Sequence, residues 1–415
     1  MFFLKQLQKF LKIDVAYLVR EGFWLGLDQA VSIGVSFVLI YVFGNFLSQE
    51  VYGTYRYVLS VFSILTISTL PNMNIALTAS VARGYEGSMY SALRQRISWG
   101  MIGACAGIFI ALYYFLSGDF VLGISFLITA AAIPWMDSYN IFGAFLKGKK
   151  FFKIQAQYSI IVRAVSAFSI IAAVFYSKNI YIILLSFFLP YIVLHVSFFL
   201  LTMRQYSPNK SIEKDTIRYG KHLSAIQFLG VVINYLDSIL IFHFLGPASL
   251  AVYSIATAPL SKIRQAFSII LELALPKFSE RSTQEVHSIL LQKIWRAVLL
   301  SLVGIGIYIV TIPVVFKLFL PLYAESIFYS QLAAITLLNL PFSFIYTFFQ
   351  SKGFVNIIYR YNAYIRLFQI LAVVILVPMY GILGAVMVSI IFQLFSISVL
   401  VYFFNRTKYL TSEGY

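Results

Sequence analysis

Charge is scarce in this 415-residue chain: 11% of its residues are Asp, Glu, Lys or Arg, against about 25% in an ordinary soluble chain. With 60% apolar and 18% aromatic residues, that scarcity excludes a soluble enzyme and a disordered tail. The one cysteine, Cys105, excludes an intramolecular disulfide. The four histidines, His195, His222, His243 and His287, stand far apart without paired ligand spacing, so no metal site is expected. Acids are outnumbered by bases, 15 to 31. In a chain this apolar the placement of the excess matters more than its size, and no nucleic-acid partner is expected.

What the chain has is long apolar runs. A spanning helix takes about 20 of them in succession, and twelve stretches qualify: 22–43, 51–82, 97–116, 120–146, 154–176, 180–203, 222–243, 249–276, 297–317, 325–350, 357–378 and 381–404. They are continuous rather than alternating, which excludes a β-barrel. The expected fold is an all-α integral membrane protein with twelve transmembrane helices.

The loops between them alternate in basic content. Lys147, Lys149, Lys150 and Lys153 share one loop and Arg204, Lys210, Lys214 and Arg218 another, while the loops of the opposite side hold only Lys178 and Lys317. The positive-inside rule then places both termini in the cytoplasm. Gly143, Gly148 and Lys149 have the spacing of a phosphate-binding loop, but Lys150 stands where Ser or Thr would hold magnesium and an apolar helix replaces the strand. Those lysines read as a cytoplasmic anchor. In the first 20 residues, lysines interrupt the apolar run around Phe2, Phe3, Leu7, Phe10 and Leu11. That pattern reads as an amphipathic helix on the membrane surface rather than a signal peptide.

The chain also repeats itself. A shift of 198 aligns Arg20 with Arg218, Gln29 with Gln227, Phe46-Leu47 with Phe244-Leu245, Tyr55 with Tyr253 and Arg83 with Arg281. A shift of 207 pairs Thr129 and Pro134 with Thr336 and Pro341, and one of 203 pairs Tyr158 and Arg163 with Tyr361 and Arg366. The collinear series predicts two pseudo-symmetric six-helix bundles around a central cavity. The expected divisions are a lobe over 1–203 with the amphipathic segment at its start, a cytoplasmic linker over 204–219, and a lobe over 220–415. Six is even, so the repeat is parallel and its axis lies along the membrane normal.

Charges inside the spans carry the functional signal, because each costs about 2.5–3.5 kcal/mol on insertion scales and needs a partner or an aqueous cavity. They are Asp28, Arg56, Asp137, Arg163, Asp237, Lys262, Arg264, Glu272 and Arg366. Asp137 and Glu272, near cytoplasmic ends, read as structural ion pairs. Arg163 and Arg366 recur at one place in the repeat, each five residues after a tyrosine, with no acid in its own span. With Arg56, Lys262 and Arg264 they form the expected binding set for a lipid phosphate. Asp28 and Asp237 are candidates for pairing with those cations or for coupling to a proton or sodium gradient; no other cofactor is expected.

At these residues the chain resembles a known family. Phe46-Leu47 and Val51-Tyr52-Gly53-Thr54-Tyr55 after the first span, Ser80-Val81-Ala82-Arg83 after the second, and Phe244-Leu245-Gly246, Ala251-Val252-Tyr253 and Leu275-Pro276 in the second half are similar to the polysaccharide-repeat (Wzx-type) flippases. These belong to the multidrug/oligosaccharidyl-lipid/polysaccharide exporter superfamily. The resemblance covers nearly the whole chain. It implies a multi-pass protein of the bacterial inner membrane, a transporter and not an enzyme. Its substrate would be an undecaprenyl-pyrophosphate-linked oligosaccharide for O-antigen, capsule or a related glycan, moved to the periplasmic leaflet by alternating access. Membrane lipid, a glycan polymerase and glycosyltransferases are the implied partners. Three other readings stay open at this stage: a cation-coupled small-molecule exporter of the same fold, which calls for a carboxylate-rich cavity, a membrane glycan polymerase or ligase, and a scaffold for glycan enzymes. A scaffold for glycan enzymes would survive loss of every cavity charge.

Overall fold

The computed structural model describes residues 15–410, and the amphipathic segment expected at the N-terminus lies, over 1–14, outside the described residues. Every regular element among them is helical. In chain order these are α1 (Val15–Phe46), α2 (Gln49–Leu65), α3 (Met73–Ala82), α4 (Ser88–Leu116), α5 (Phe120–Met136), α6 (Ile141–Gly148) and α7 (Phe152–Tyr176). There follow α8 (Ile180–Tyr206), α9 (Asp215–Glu280), α10 (Thr283–Phe319), α11 (Ser326–Ala333), α12 (Ser343–Ser351) and α13 (Val355–Leu410). Among the described residues nine helices are long and apolar enough to cross a membrane, or ten when the bent pair of α2 and α3 is counted as one span.

Proline explains where the expected stretches are interrupted. The run over 51–82, expected to be one helix, bends by 42° between Gln49–Thr69 and Met73–Ala82. Leu70 takes φ 55° there, just before Pro71, whose ring and missing N–H cannot continue a helix. The spans holding the repeat-related Pro134 and Pro341 each tighten to 3-10 geometry nearby, over Ser138–Asn140 and Ala334–Asn339. Two further breaks rest on glycine. Unbroken, the 66 residues of α9 would reach about 100 Å, three times the hydrocarbon thickness. Gly246 (φ 82°, ψ 175°) interrupts α9 and Gly381 (φ 60°, ψ −135°) interrupts α13, in backbone regions that a side chain disfavours.

The chain divides into two compact units, Met1–Leu47 with Val58–Val232, and Ser48–Tyr57 with Ile233–Tyr415. In the first, α4 packs on α5, α1 on α7, α7 on α8 and α3 on α6. The face of α4 that meets α5 carries Gly100, Gly103, Gly107 and Ala111, all buried. A Cβ on Gly100 would stand 3.0 Å from Pro134 Cα, and one on Gly107 3.0 Å from Ala130 Cβ, both on α5, so the small-residue stripe is what lets the helices approach. Aromatic and aliphatic side chains fill the core around Met73, Leu77, Phe142, Phe145 and Phe198. The second unit has its own core around Val286, Ile345, Phe348, Phe349 and Phe404. Along α10, Leu299, Leu300, Val303, Ile307 and Val310 are exposed, the surface expected of a helix solvated by lipid.

One end of the first unit carries a polar clasp. The Asn209 backbone N–H donates to Glu86 Oε2 (2.9 Å) and Lys149 Nζ to Glu86 Oε1 (2.6 Å). Arg83 forks onto Glu213 through Nε (3.1 Å) and Nη2 (2.7 Å). The Lys149 hydrogen bond holds the Glu86 carboxyl below its ordinary range, and the Arg83 hydrogen bond does the same for Glu213. The segment joining α8 to α9 is thus fastened to the loop after α3.

Candidate functional site: an arginine-lined cavity

Within the second unit a cavity of about 420 Å³ collects polar side chains from five helical stretches. The part of α9 after Gly246 contributes Ser254, Thr257, Ser261 and Arg264, spaced by three, four and three residues, which is one face of a helix. Arg56 comes from α2, Asn234 and Asp237 from α9 before its break, Arg366 and Gln369 from α13 before Gly381, and Ser389 and Gln393 from α13 after it. Three guanidinium groups therefore meet one carboxylate.

The carboxylate is tied down. Asp237 accepts from the Tyr253 hydroxyl, from the Ser238 backbone N–H at 2.7 Å and from Ser238 Oγ at 3.3 Å. Each arginine donates to a neutral side chain. Arg56 Nε donates to Ser254 Oγ (3.3 Å), Arg264 Nη2 to Thr336 Oγ1 (2.7 Å), and Arg366 Nη1 to Asn234 Oδ1 (3.2 Å) and Gln369 Oε1 (3.3 Å). The Arg264 Nε is buried with no hydrogen-bond partner. A buried guanidinium donor left open in this way is a cost that an incoming anion would relieve.

Arg366 also lines a second cavity of about 500 Å³, with Ser268, Glu272, Asn339, Tyr346 and Asn362 among its other walls. Ser268 and Glu272 continue the α9 face that begins at Ser254. Over the 18 residues from Ser254 to Glu272 that face rises about 27 Å, close to the thickness of the hydrocarbon core. A polar track of this length inside lipid-solvated helices suits a polar cargo.

The sequence-predicted residues are thus distributed unevenly. Arg56, Asp237, Arg264 and Arg366 come together in the first cavity. Lys262, two residues from Arg264, faces away from that track; its Nζ lies 3.4 Å from Gln265 Oε1, and it lines neither cavity. In the first unit Arg163 Nη2 stands 3.5 Å from Asp28 Oδ2, and its Nη1 3.5 Å from the Asp28 carbonyl oxygen. Glu272, read from the sequence as one member of an ion pair, lines the second cavity and makes no ion pair among the described residues. The neutral lining, Asn234, Tyr253, Thr257, Gln369 and Gln393, escaped a search confined to charges. Its signal is periodicity: Asn362, Arg366 and Gln369, like Ser389 and Gln393, recur at helical spacing. No cluster of three or more metal-ligating side chains occurs among the described residues.

The fold is shared with a MATE protein in complex with MaD5, with a TM-score of 0.63 at 12% identity over 94% of this chain and 96% of that one. It is shared equally with the lipid II flippase MurJ in an inward closed conformation, with a TM-score of 0.63 at 11% identity over 92% and 87%. An outward-facing multidrug resistance MATE family transporter of the MOP superfamily gives a TM-score of 0.56 at 14% identity over 96% of each chain. The architecture is that of the MOP transporter fold. No curated protein matches the chain. Residues 18–282 match the polysaccharide biosynthesis protein family, and the chain belongs to that family. The resemblance read from its sequence is borne out.

Proposed function

We propose that this protein is a flippase for an anionic lipid-linked oligosaccharide, carrying undecaprenyl-pyrophosphate-linked repeat units from the cytoplasmic to the periplasmic leaflet of a bacterial inner membrane by alternating access. The observation that carries the reading is the charge of the cavity, three arginines against a single hydrogen-bonded aspartate. A cation exporter needs the opposite balance, since a cationic cargo would be repelled by Arg56, Arg264 and Arg366. The pyrophosphate sits among these three arginines. An inside-negative potential favours outward movement of each negative charge by about 2.3 kcal/mol per 100 mV. In cells lacking the chain, lipid-linked repeat units should accumulate in the cytoplasmic leaflet and surface glycan should fall, with both restored on re-expression. Normal glycan without the protein would reject the reading.

In this proposal α9 and α13 each count as two spans, which brings the total to twelve, arranged as two repeat-related six-helix halves joined by residues 204–219. Both termini and the joining segment face the cytoplasm. The arrangement is checked by cysteine labelling. With Cys105, which is exposed, replaced by serine, a Ser211→Cys protein should stay unlabelled by an impermeant maleimide in intact cells and react after permeabilisation. Labelling of intact cells would invert the topology.

Asp237 is proposed as the coupling carboxylate for a proton or sodium ion, since binding either one competes with its hydrogen bonds and with the nearby Arg56 charge. Asp28, held to Arg163, is assigned to pairing. Export by an Asp237→Asn protein, assayed over a range of pH and sodium, is expected to lose its ion dependence while folded protein is retained. An unaltered rate and ion response would remove Asp237 from the mechanism.

A further inference from the structure

We infer that the second cavity is a saccharide subsite that takes the sugars adjoining the pyrophosphate and selects neutral sugars over acidic ones. The inference rests on the flippase reading and adds to it the class of headgroup carried.

The placement comes from Arg366, which lines both cavities. A pyrophosphate held by Arg264 and Arg366 has its first sugar covalently attached, so that sugar must lie beside Arg366, and the second cavity opens there. The amide pair of Asn339 with Gln393 is a further junction, since Asn339 lines the second cavity, Gln393 lines the first, and Asn339 Nδ2 donates to Gln393 Oε1.

The chemistry of the walls changes across that junction. Past Arg366 there are no further cations. The polar lining becomes amides and hydroxyls, with the carboxylate of Glu272 among them. Neutral donors and acceptors of this kind match sugar hydroxyls, and Asn339 Oδ1 is buried with no hydrogen-bond partner. Tyr346 and Tyr361 add flat apolar surface for the C–H face of a pyranose ring. Their hydroxyls are already oriented: Tyr361 bonds Ser396 Oγ at 2.7 Å, and Tyr346 accepts from Asn362 Nδ2 at 3.4 Å.

Glu272 sets the selectivity. Its carboxylate makes no hydrogen bond among the described residues, and its side chain is exposed to the cavity. Two carboxylate oxygens accept well from a pair of adjacent hydroxyls, in charge-assisted bonds stronger than neutral ones. The same charge repels the carboxylate of a uronic acid placed beside it. The volume of about 500 Å³ falls within the usual range for small-molecule pockets, about 300–1,000 Å³.

The test uses the full chain, purified, with five probes: geranylgeranyl pyrophosphate alone, and the same lipid pyrophosphate bearing glucose, galactose, N-acetylglucosamine or glucuronic acid. At least one neutral sugar should tighten binding about tenfold over the bare lipid, equivalent to about 1.4 kcal/mol, and glucuronic acid should give no gain. Glu272→Gln and Asn362→Ala should each remove most of the neutral gain without altering binding of the bare probe, with an unchanged unfolding midpoint. Arg264→Gln should weaken all five probes. Neutral probes that bind no better than the bare lipid, or a glucuronyl probe that binds best, would overturn the subsite and leave the flippase reading intact. A wild-type protein that fails to bind even the bare lipid pyrophosphate would bring down both.

Discussion

Glycan export per folded molecule is expected to fall at least tenfold when Arg366 or Arg264 is replaced by glutamine. Each guanidinium offers charge-assisted hydrogen bonds to phosphate, and such bonds contribute about 1.5–3 kcal/mol apiece, or roughly 10- to 100-fold in binding. Neither arginine is committed to an acid: Arg264 is bonded to Thr336, and Arg366 to Asn234 and Gln369. Their charges are therefore available to a ligand, and their loss should show in transport rather than in folding. Arg→Lys variants separate charge from shape. Lysine retains the cation but loses the planar fork that grips two phosphate oxygens, so export should be intermediate. Arg163→Gln is the informative contrast, because its partner Asp28 would be left as an uncompensated charge. Folded protein should then drop together with export. Export assays normalised to folded protein in the membrane check all of these outcomes.

The largest loss of stability is expected at Arg96. This side chain is 1% exposed, a rarity for arginine. Its Nε donates to the Thr69 carbonyl at 3.0 Å and its Nη1 to Asn74 Oδ1 at 2.7 Å. Those acceptors flank the turn at Leu70–Pro71 where α2 gives way to α3, so one side chain holds both sides of a broken span. Arg96→Ala would leave the buried Thr69 carbonyl without this donor, at about 1–3 kcal/mol, strip the half-buried Asn74 side chain of its partner, and open a cavity besides. Thermal unfolding of the purified variant should show a clear fall in midpoint and yield. Arg96→Lys should recover part of it. A variant that unfolds at the wild-type temperature would mean that the turn is held by other contacts.

Arg96 also shows where the sequence stops being legible. In the linear chain nothing sets it apart from the neighbouring Arg94; only the bend at Pro71 brings Thr69 and Asn74 to it. The all-helical class was readable because apolar runs of spanning length leave the backbone no other way to satisfy its hydrogen bonds in lipid. The interruption at Pro71 follows from local chemistry, and so do the glycine breaks at Gly246 and Gly381. Charges inside the spans pointed to the cavity for the same reason, since the cost of burying Arg56, Asp237, Arg264 and Arg366 demanded a shared polar space. What the sequence could not convey was partnership. Arg163 and Arg366 occupy equivalent places in the repeat, yet one faces Asp28 and the other Asn234. That difference depends on which residue the neighbouring helix presents, and it is invisible to any count of charges. The neutral members, Tyr253 and Gln369 among them, are individually ordinary and gain meaning only from the helical face they share with an arginine.

The central claim is that three arginines in one cavity move an anionic lipid-linked saccharide. It is tested most directly in proteoliposomes containing a fluorescent prenyl-pyrophosphate saccharide, with an impermeant quencher reporting which leaflet holds it. The wild-type protein should bring the inner-leaflet probe to the quencher, and an uncharged analogue of the same lipid should stay behind. A combined Arg56→Gln, Arg264→Gln and Arg366→Gln protein with an unchanged unfolding midpoint should leave the charged probe in place as well. Equal rates for the wild type and the triple variant, or for the charged and uncharged probes, would contradict the account.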